Sequence, residues 1–325
     1  MIRTEPDTTD RDATARESIP SSALDTLAQN VLRLADLDPL LDAFGARQLR
    51  PIALKGLALL HTIYDDELSA RPMADLDLLV PPERLSEAEE VLLDQGYTRV
   101  PHHQSTFVGG EHGTRIDLTD SIWYLDRAEL QRFIARSISV ERDGRTLSVP
   151  ALEDHLLFVA THAVVLHGQL RPAWQEDLRR LIAAEPTWPD LVDRAQRAGL
   201  TVPLSCALER AVEQGAVVPT GVRETLAPRG TDRVRASILG GILGRPETHE
   251  TGHLLRLLFR RESGGTVRAL WKHVFPGREF IERRYGVKGR PAVLAHQAWR
   301  PASTALRTVR YAARSLTASR KRAAS

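Results

Sequence analysis

Apolar positions set the first rhythm of the chain. Over residues 21–46, Leu24, Leu27, Val31 and Leu34 recur at three- to four-residue spacing behind Ser21 and Ser22, the pattern of one helix face with a hydroxyl N-cap. The rhythm then shortens. Pro51–Leu54 is a brief apolar run that stops at Lys55-Gly56, and Leu57, Leu60, Ile63 and Tyr64 return to helical spacing, so a strand turns into a helix here. Met73–Val80 reads as a strand closed by Pro81 and Pro82. Arg84–Gln95 reads as a helix with Leu85, Ala88, Val91 and Leu92 inward and Gly96 at its end. Residues 97–100, 105–108 and 114–118 suggest short strands. Asp143-Gly144 between 137–141 and 146–149 signals a hairpin.

After Pro150 the pattern becomes helical almost throughout, over 151–167, 174–184, 188–198, 202–214, 231–243, 252–260 and 266–274, with Pro and Gly between the runs. No repeat recurs at a fixed period. The predicted fold class is α+β, a small mixed sheet followed by an α-helical domain. The predicted organisation is a disordered lead-in over 1–20, an α/β domain over 21–150, an α-helical domain over 151–285 and a basic tail over 286–325.

Composition adds exclusions. In 325 residues, 42% hydrophobic and 26% charged residues suffice for a packed core, which excludes a globally disordered chain. The single cysteine, Cys206, excludes an internal disulfide framework and a Cys-rich zinc module, fits a reducing compartment, and is expected as a small buried residue on a helix. The most apolar stretch, Leu156–Leu166, is broken by His162 and falls short of the roughly 18–20 residues a membrane span needs. The polar N-terminal segment has no secretory h-region, so a cytoplasmic location is expected.

The net charge of +2 hides an asymmetry. From Arg283 onward there are 11 basic residues and no acidic ones, which leaves 33 basic against 42 acidic before it. Ala302, Leu306, Val309, Ala313 and Leu316 share one helical face of the tail, and Arg300, Arg307, Arg310 and Arg314 fall away from it. Such a helix packs on an acidic body, or contacts nucleic acid or an anionic membrane surface. Only four residues are lysine, Lys55 among them, in a chain that otherwise uses arginine.

The sharpest chemistry is Asp75-Leu76-Asp77. On a strand, i and i+2 point to one face, so two carboxylates stand side by side while Leu76 and Leu78 turn inward. Adjacent carboxylates on a buried strand repel unless a cation lies between them. Magnesium suits the pair, because it is hard, takes carboxylate oxygens and shares its shell with substrate phosphates. Asp117, in Arg115-Ile-Asp-Leu118, supplies a third carboxylate on another alternating strand. Three acids on neighbouring strands frame phosphoryl or nucleotidyl transfer. Lys55-Gly56 lies upstream at a strand-to-helix turn where glycine lets phosphate approach the backbone, and Arg71 lies just before the Asp pair.

Taken in order, Leu54-Lys55-Gly56, Arg71-Pro72-Met73-Ala74-Asp75-Leu76-Asp77-Leu78-Leu79-Val80, Gly96-Tyr97 and Ile116-Asp117-Leu118 resemble the uncharacterised bacterial nucleotidyltransferase-like family of the polymerase-β superfold. Glu153-Asp154-His155-Leu156-Leu157, His162, and Leu170-Arg171 through Trp174 and Asp177-Leu178 resemble the helical region that follows its catalytic domain. The resemblance spans about residues 25–220. It implies a nucleotidyltransferase domain with the nucleotide in a cleft against the helices. Asp75, Asp77 and Asp117 would be catalytic residues and ligands of Mg²⁺ (or Mn²⁺), Asp117 also helping to deprotonate the acceptor. Lys55, Gly56 and Arg71 would bind the triphosphate of an NTP. The acceptor would be a small molecule, peptide or protein. The alternative is a catalytically inactive nucleotide- or partner-binding protein of the same fold. In place of the superfold's Gly-Ser the loop carries Lys55-Gly56-Leu57, and Thr119 follows Leu118 where close relatives carry a histidine.

Two further patterns carry histidines. His249-Glu-Thr-Gly-His253 matches the H-E-x-x-H zinc pattern, but follows Arg245-Pro246 without an apolar turn and is read as a polar helix start. His155, His162 and His167 are read as partnered histidines at a domain interface. The other reading has His162 and Asp177 facing the nucleotide cleft.

Overall fold

A computed structural model describes residues 23–243 apart from 102, 104 and 143, together with 259, 278, 289–295, 297 and 299. The chain divides into two compact units, Met1–His249 and Glu250–Ser325. The elements below belong to the first. The lead-in, the H-E-x-x-H pattern, the helix expected over 252–260 apart from residue 259, the helix expected over 266–274, and most of the basic tail lie outside the described residues.

Helix α1 (Ala23–Ala46) precedes a seven-stranded mixed sheet in the order β3-β4-β5-β2-β1-β7-β6. Its strands are β1 (Ile52–Leu54), β2 (Leu76–Leu79), β3 (Thr98–Arg99), β4 (Thr106–Gly109), β5 (Thr114–Thr119), β6 (Ile138–Arg142) and β7 (Arg145–Val149). Strand β2 sits between β1, its antiparallel partner, and β5, its parallel one. A strand with neighbours on both edges and buried faces reads as continuous apolar sequence. Leu76–Val80 does so, every residue buried, and Asp77 is the one acid inside it. Helix α2 (Lys55–Leu60) leaves β1 directly, and α3 (Leu85–Asp94) follows β2 after a 3-10 turn at Pro82–Arg84.

Of the face that the apolar spacing of α1 suggests, Leu34 is buried and the other three positions are not. Leu24 is 76% exposed, and Leu27 and Val31 are exposed too, whereas Asn30, Leu34, Leu37, Leu40 and Phe44 are buried. The Asn30 amide explains the turn of the helix, since Nδ2 donates to Leu68 O at 2.7 Å and to Arg71 O at 2.8 Å. Both donor bonds of the buried Nδ2 outweigh an apolar stripe too short to choose a face, although Oδ1 is buried without a hydrogen-bond partner among the described residues. Further along, Asp36 accepts bonds from Glu111 N (2.9 Å) and Thr114 Oγ1 (2.5 Å), closing the turn between β4 and β5. Gly110 is required there, because with φ 76° its Cβ would lie 2.4 Å from Asp36 Cγ.

Helix α4 (Arg127–Ala135) has no counterpart in the sequence reading. Only Leu130 and Phe133 of it are buried, too few for a periodic signal; its start is an Asp126 cap accepting from Glu129 N at 2.9 Å.

The remaining helices are α5 (Leu152–Thr161), α6 (Pro172–Ala183), α7 (Trp188–Ala198), α8 (Thr201–Val212), α9 (Thr220–Leu226) and α10 (Asp232–Leu243). The sequence reading also lacks α9, in which Leu226 alone is buried. Helix α5 runs on into a π turn, His162–Leu166. It is buried from Asp154 to Thr161 and packs against α6, α7 and α8. Asp154 joins these helices to the sheet half, accepting from Arg136 Nε at 2.7 Å and pairing with Arg194 at 3.0 Å. Cys206 is half-buried in α8, and burial pushes its thiol up to about 11, which makes it unreactive. Among the described residues no helix is long and apolar enough to cross a membrane.

Candidate active site

Strand register alone builds the centre of the site. Asp77 on β2 pairs with Asp117 on β5 on one side and with Leu54 on β1 on the other. Lys55 follows Leu54, and Asp75 sits on the bend two residues before Asp77. The three acids and the lysine predicted from sequence are thus brought together on three adjacent strands, around the end of β1, the start of β2 and the middle of β5.

Lys55 Nζ donates a short hydrogen bond to Asp77 Oδ1. The lysine side chain is 30% exposed and the aspartate side chain 9%. Burial pulls the lysine pKa down, but the charges of Asp77, Asp75 and Asp117 overcome it and hold the group as an ammonium. The carboxyl of Asp77 moves up to about 7, first because it is buried, and further because Asp75 and Asp117 repel its charge; Lys55 offsets part of this. Asp117 is fixed from the other side, where Thr106 Oγ1 on β4 donates to its Oδ1 at 2.6 Å.

Lys55 holds a left-handed backbone, φ 47°, a conformation rare outside glycine that costs about 1–3 kcal/mol and persists only where surroundings enforce it. Two neighbours enforce it. His155 on α5 is 2% exposed and hydrogen-bonds the Lys55 main chain. Burial, with the nearby Arg71 charge, lowers its pKa to about 3, so it is neutral. Its Nε2 is buried without a hydrogen-bond partner. Gly56 is the second. A Cβ there would meet Met73 Cγ at 3.0 Å and Arg71 Nη1 at 3.2 Å, so the missing side chain lets those residues close over the start of α2.

Arg71 and Asp177 form a separate unit. Arg71 Nη2 donates to Asp177 Oδ2 at 2.9 Å and Nε to Oδ1 at 3.1 Å, while Nη1 donates to Pro72 O. Tyr64 OH donates to Asp177 Oδ1 at 2.8 Å, and the Arg180 guanidinium lies 4.3 Å over the Tyr64 ring. Burial, then the Asp177 charge, raises the Tyr64 hydroxyl far above its usual value, so it stays a donor. Asp177 is 1% exposed. It therefore anchors α6 to the 64–72 segment. His162 opens the π turn. Its Nε2 lies 3.0 Å from His167 Nε2, and the His167 ring is 4.7 Å from Trp174.

A hard divalent cation fits the donor chemistry, because Asp75, Asp77 and Asp117 are all carboxylates and outnumber Lys55. Among the described residues, however, no three His, Cys, Asp or Glu groups converge as a finished cage. Two contributors, Thr106 and Tyr64, are not read from the sequence as site residues, and His155 is read there only as a partnered histidine at a domain interface. Thr106 is legible only through the β4–β5 register, Tyr64 only through the fold of α6, and His155 carries a signal that is weak without its contact to Lys55.

Comparison with curated proteins gives no match. Solved structures are similar at low identity, three of them as follows. The solution structure of the antibiotic-resistance factor ANT(2'')-Ia shares 19% identity over 58% of this chain and 99% of that one, with a TM-score of 0.39. The crystal structure of ANT(2'')-Ia in complex with adenylyl-2''-tobramycin shares 17% over 56% and 98%, with a TM-score of 0.37. An antigenic nucleotidyltransferase-like protein from Paracoccidioides brasiliensis shares 16% over 62% and 92%, with a TM-score of 0.40. Every residue of the site, from Lys55 to Asp177, falls inside residues 7–214, which match the family described as an uncharacterised nucleotidyltransferase, and the chain belongs to that family.

Proposed function

We propose that the protein transfers a nucleoside monophosphate from an NTP to an acceptor hydroxyl or phosphate, using Mg²⁺ or Mn²⁺. The acceptor oxygen bonds to the α-phosphorus, the bond from that phosphorus to the oxygen bridging to the β-phosphate breaks, and pyrophosphate leaves. With a hydroxyl acceptor, the proton passes to Asp117. The observation that carries this reading is the crowding of carboxylates at the start of β2 and beside it on β5, where Asp75, Asp77 and Asp117 all act on the Lys55 ammonium.

Asp75 and Asp77, with Asp117, would hold the metal, which supplies positive charge to the triphosphate. Lys55 neutralises further phosphate charge from a fixed position. Arg71 acts through structure, since Asp177 takes its guanidinium and the segment leading to Asp75 is thereby held still. Thr106 fixes the rotation of Asp117, so its carboxylate can accept a proton without searching for a rotamer. Such chemistry needs placement and electrostatics and no covalent intermediate, which matches a site without an activated nucleophile. The acceptor class is a small molecule, a peptide or a protein.

The Lys55–Asp77 pair favours one second reading, a nucleotide- or partner-binding protein whose lysine has replaced the catalytic cation. Transfer of label decides between them. Each NTP, labelled at the α-phosphate, is incubated with the protein, Mg²⁺ and a fractionated cell extract. Label bound to an acceptor together with released pyrophosphate, both absent in Asp75→Ala/Asp77→Ala, establishes the transferase. Binding of an NTP without transfer in any fraction establishes the second reading.

A further inference from the structure

We propose that Asn30 of α1 is a positioning residue for the candidate site, clasping the irregular segment that leads into Asp75. This rests on the nucleotidyltransferase reading above and extends it to a residue outside the carboxylate cluster.

Three observations carry the proposal. The first is that the segment needs outside support. Residues 61–75 join α2 to β2 through turns and bends, with no helix or strand among them. Asp65 and Asp66 hold consecutive left-handed φ angles of 49° and 59°, a backbone that persists only where its surroundings enforce it. Short main-chain bonds tie the segment to itself, from Glu67 N to Tyr64 O and from Ala70 N to Glu67 O, both at 2.9 Å.

The second is where the support arrives. Asn30 Nδ2 donates to Leu68 O at 2.7 Å and to Arg71 O at 2.8 Å, so one amide spans the last turn of the segment. Arg71 is thereby held twice, through its main chain by α1 and through its guanidinium by Asp177 of α6. Pro72 then restricts the backbone on either side of the Arg71–Pro72 bond, and Met73 is buried beside Gly56. The chain from Arg71 to Asp75 therefore carries the placement forward. The third is the cost. Asn30 is fully buried with Oδ1 lacking a partner among the described residues, while Leu24, Leu27 and Val31 of the same helix stay exposed. A leucine at position 30 would serve burial better. A residue that defeats burial, and finds its partners only in a strained neighbouring segment, marks a functional constraint.

The test separates placement from packing. Asn30→Leu keeps the size of the side chain and removes both donors. Leu40→Ala, a fully buried position of the same helix, removes packing alone. Hydrogen exchange over Tyr64–Asp75 is followed by mass spectrometry without nucleotide, and kcat and KM are measured for transfer from the NTP. In Asn30→Leu the amides of Tyr64, Glu67 and Ala70 are expected to exchange about tenfold faster or more. Its kcat/KM is expected to fall about ten- to a hundred-fold, with kcat lowered at saturating NTP, because a misplaced Asp75 stays misplaced when substrate is bound. Leu40→Ala is expected to melt lower and to keep wild-type exchange in the segment and wild-type kcat. Wild-type exchange in a folded Asn30→Leu chain would overturn the clasp. Faster exchange with unchanged kcat and KM would reduce it to a structural contact and overturn the positioning role. Without any variant, these amides in the wild type are expected to exchange at least a hundred-fold more slowly than in an unstructured peptide, and exchange at the free rate would overturn the proposal too. A wild type that transfers nothing, with faster exchange in Asn30→Leu, would overturn the transferase reading and leave the clasp standing.

Discussion

Two pairs of opposite charge flank the same segment, and they behave in opposite ways. Arg71–Asp177 is balanced. The carboxylate accepts two guanidinium bonds and a tyrosine hydroxyl, is 1% exposed, and has nothing left to offer a ligand. Lys55–Asp77 is crowded. The ammonium lies on Asp77 with the charges of Asp75 and Asp117 close by, the Asp77 carboxyl is pushed up to about 7 chiefly by burial, and the backbone beneath the lysine is held in a rare conformation. A buried pair with every valence met is a joint. A cluster that crowds carboxylates beside strained backbone is the arrangement expected of a binding site, and the proposed function assigns it a cation. The contrast separates an aspartate with its bonds met from aspartates that crowd one another, although both lie in sequence contexts that resemble the family.

The largest effect expected is on activity. Asp77→Asn should lower transfer about a thousand-fold, as loss of a preorganised charge in a closed site does, while leaving the melting temperature unchanged or raised because the crowded carboxylates are relieved. Turnover and calorimetric melting check the two halves; a marked fall in melting temperature would make Asp77 a joint like Asp177. Asp177→Ala should do the reverse, costing about 3–5 kcal/mol of stability by stranding the Arg71 charge, measurable by urea unfolding. Full stability in that variant would break the comparison from the other side.

A smaller effect concerns acid. His155 titrates near 6.5 when unfolded and at about 3 when folded, so the unfolded chain binds more protons between these values. Its contribution to stability is complete above about pH 6.5 and is lost as the pH falls toward 3, by at most about 1.4 kcal/mol per pH unit. His155→Phe should flatten that limb of the stability profile. Identical limbs in variant and wild type would show that the imidazole is not held neutral. The smallest effect belongs to Gly56→Ala, about 1 kcal/mol, because the flexible Met73 side chain can yield to the new Cβ. Met73→Ala in the same chain should recover most of it.

The carboxylates were legible because strand alternation and register place them without tertiary information: Asp75 and Asp77 on one face, and Asp117 on a strand of the same pattern. The helical half was legible for a similar reason, since α7 spans the predicted 188–198. Other features depend on contacts between segments far apart in sequence. The ion pair of Lys55 follows from the antiparallel β1–β2 register. The buried face of α1 follows from the Asn30 bonds to the 68–71 loop, which overrule Leu24, Leu27 and Val31. Asp177, expected in a nucleotide cleft as one reading, lies instead under Arg71 and Tyr64, and no local pattern distinguishes those positions. His162 has a local partner, His167, five residues on, but only the π turn brings their rings together.

The central claim is that the carboxylate cluster beside Lys55 is a metal-dependent nucleotide site. Calorimetric titration of the four NTPs, with and without Mg²⁺, into wild type and Asp75→Ala/Asp77→Ala tests it most directly. The account predicts that one NTP binds the wild type only when Mg²⁺ is present, and that the folded double variant does not bind it. NTP binding that is indifferent to Mg²⁺ and survives in the double variant would contradict it, as would a folded wild type that binds none of the four.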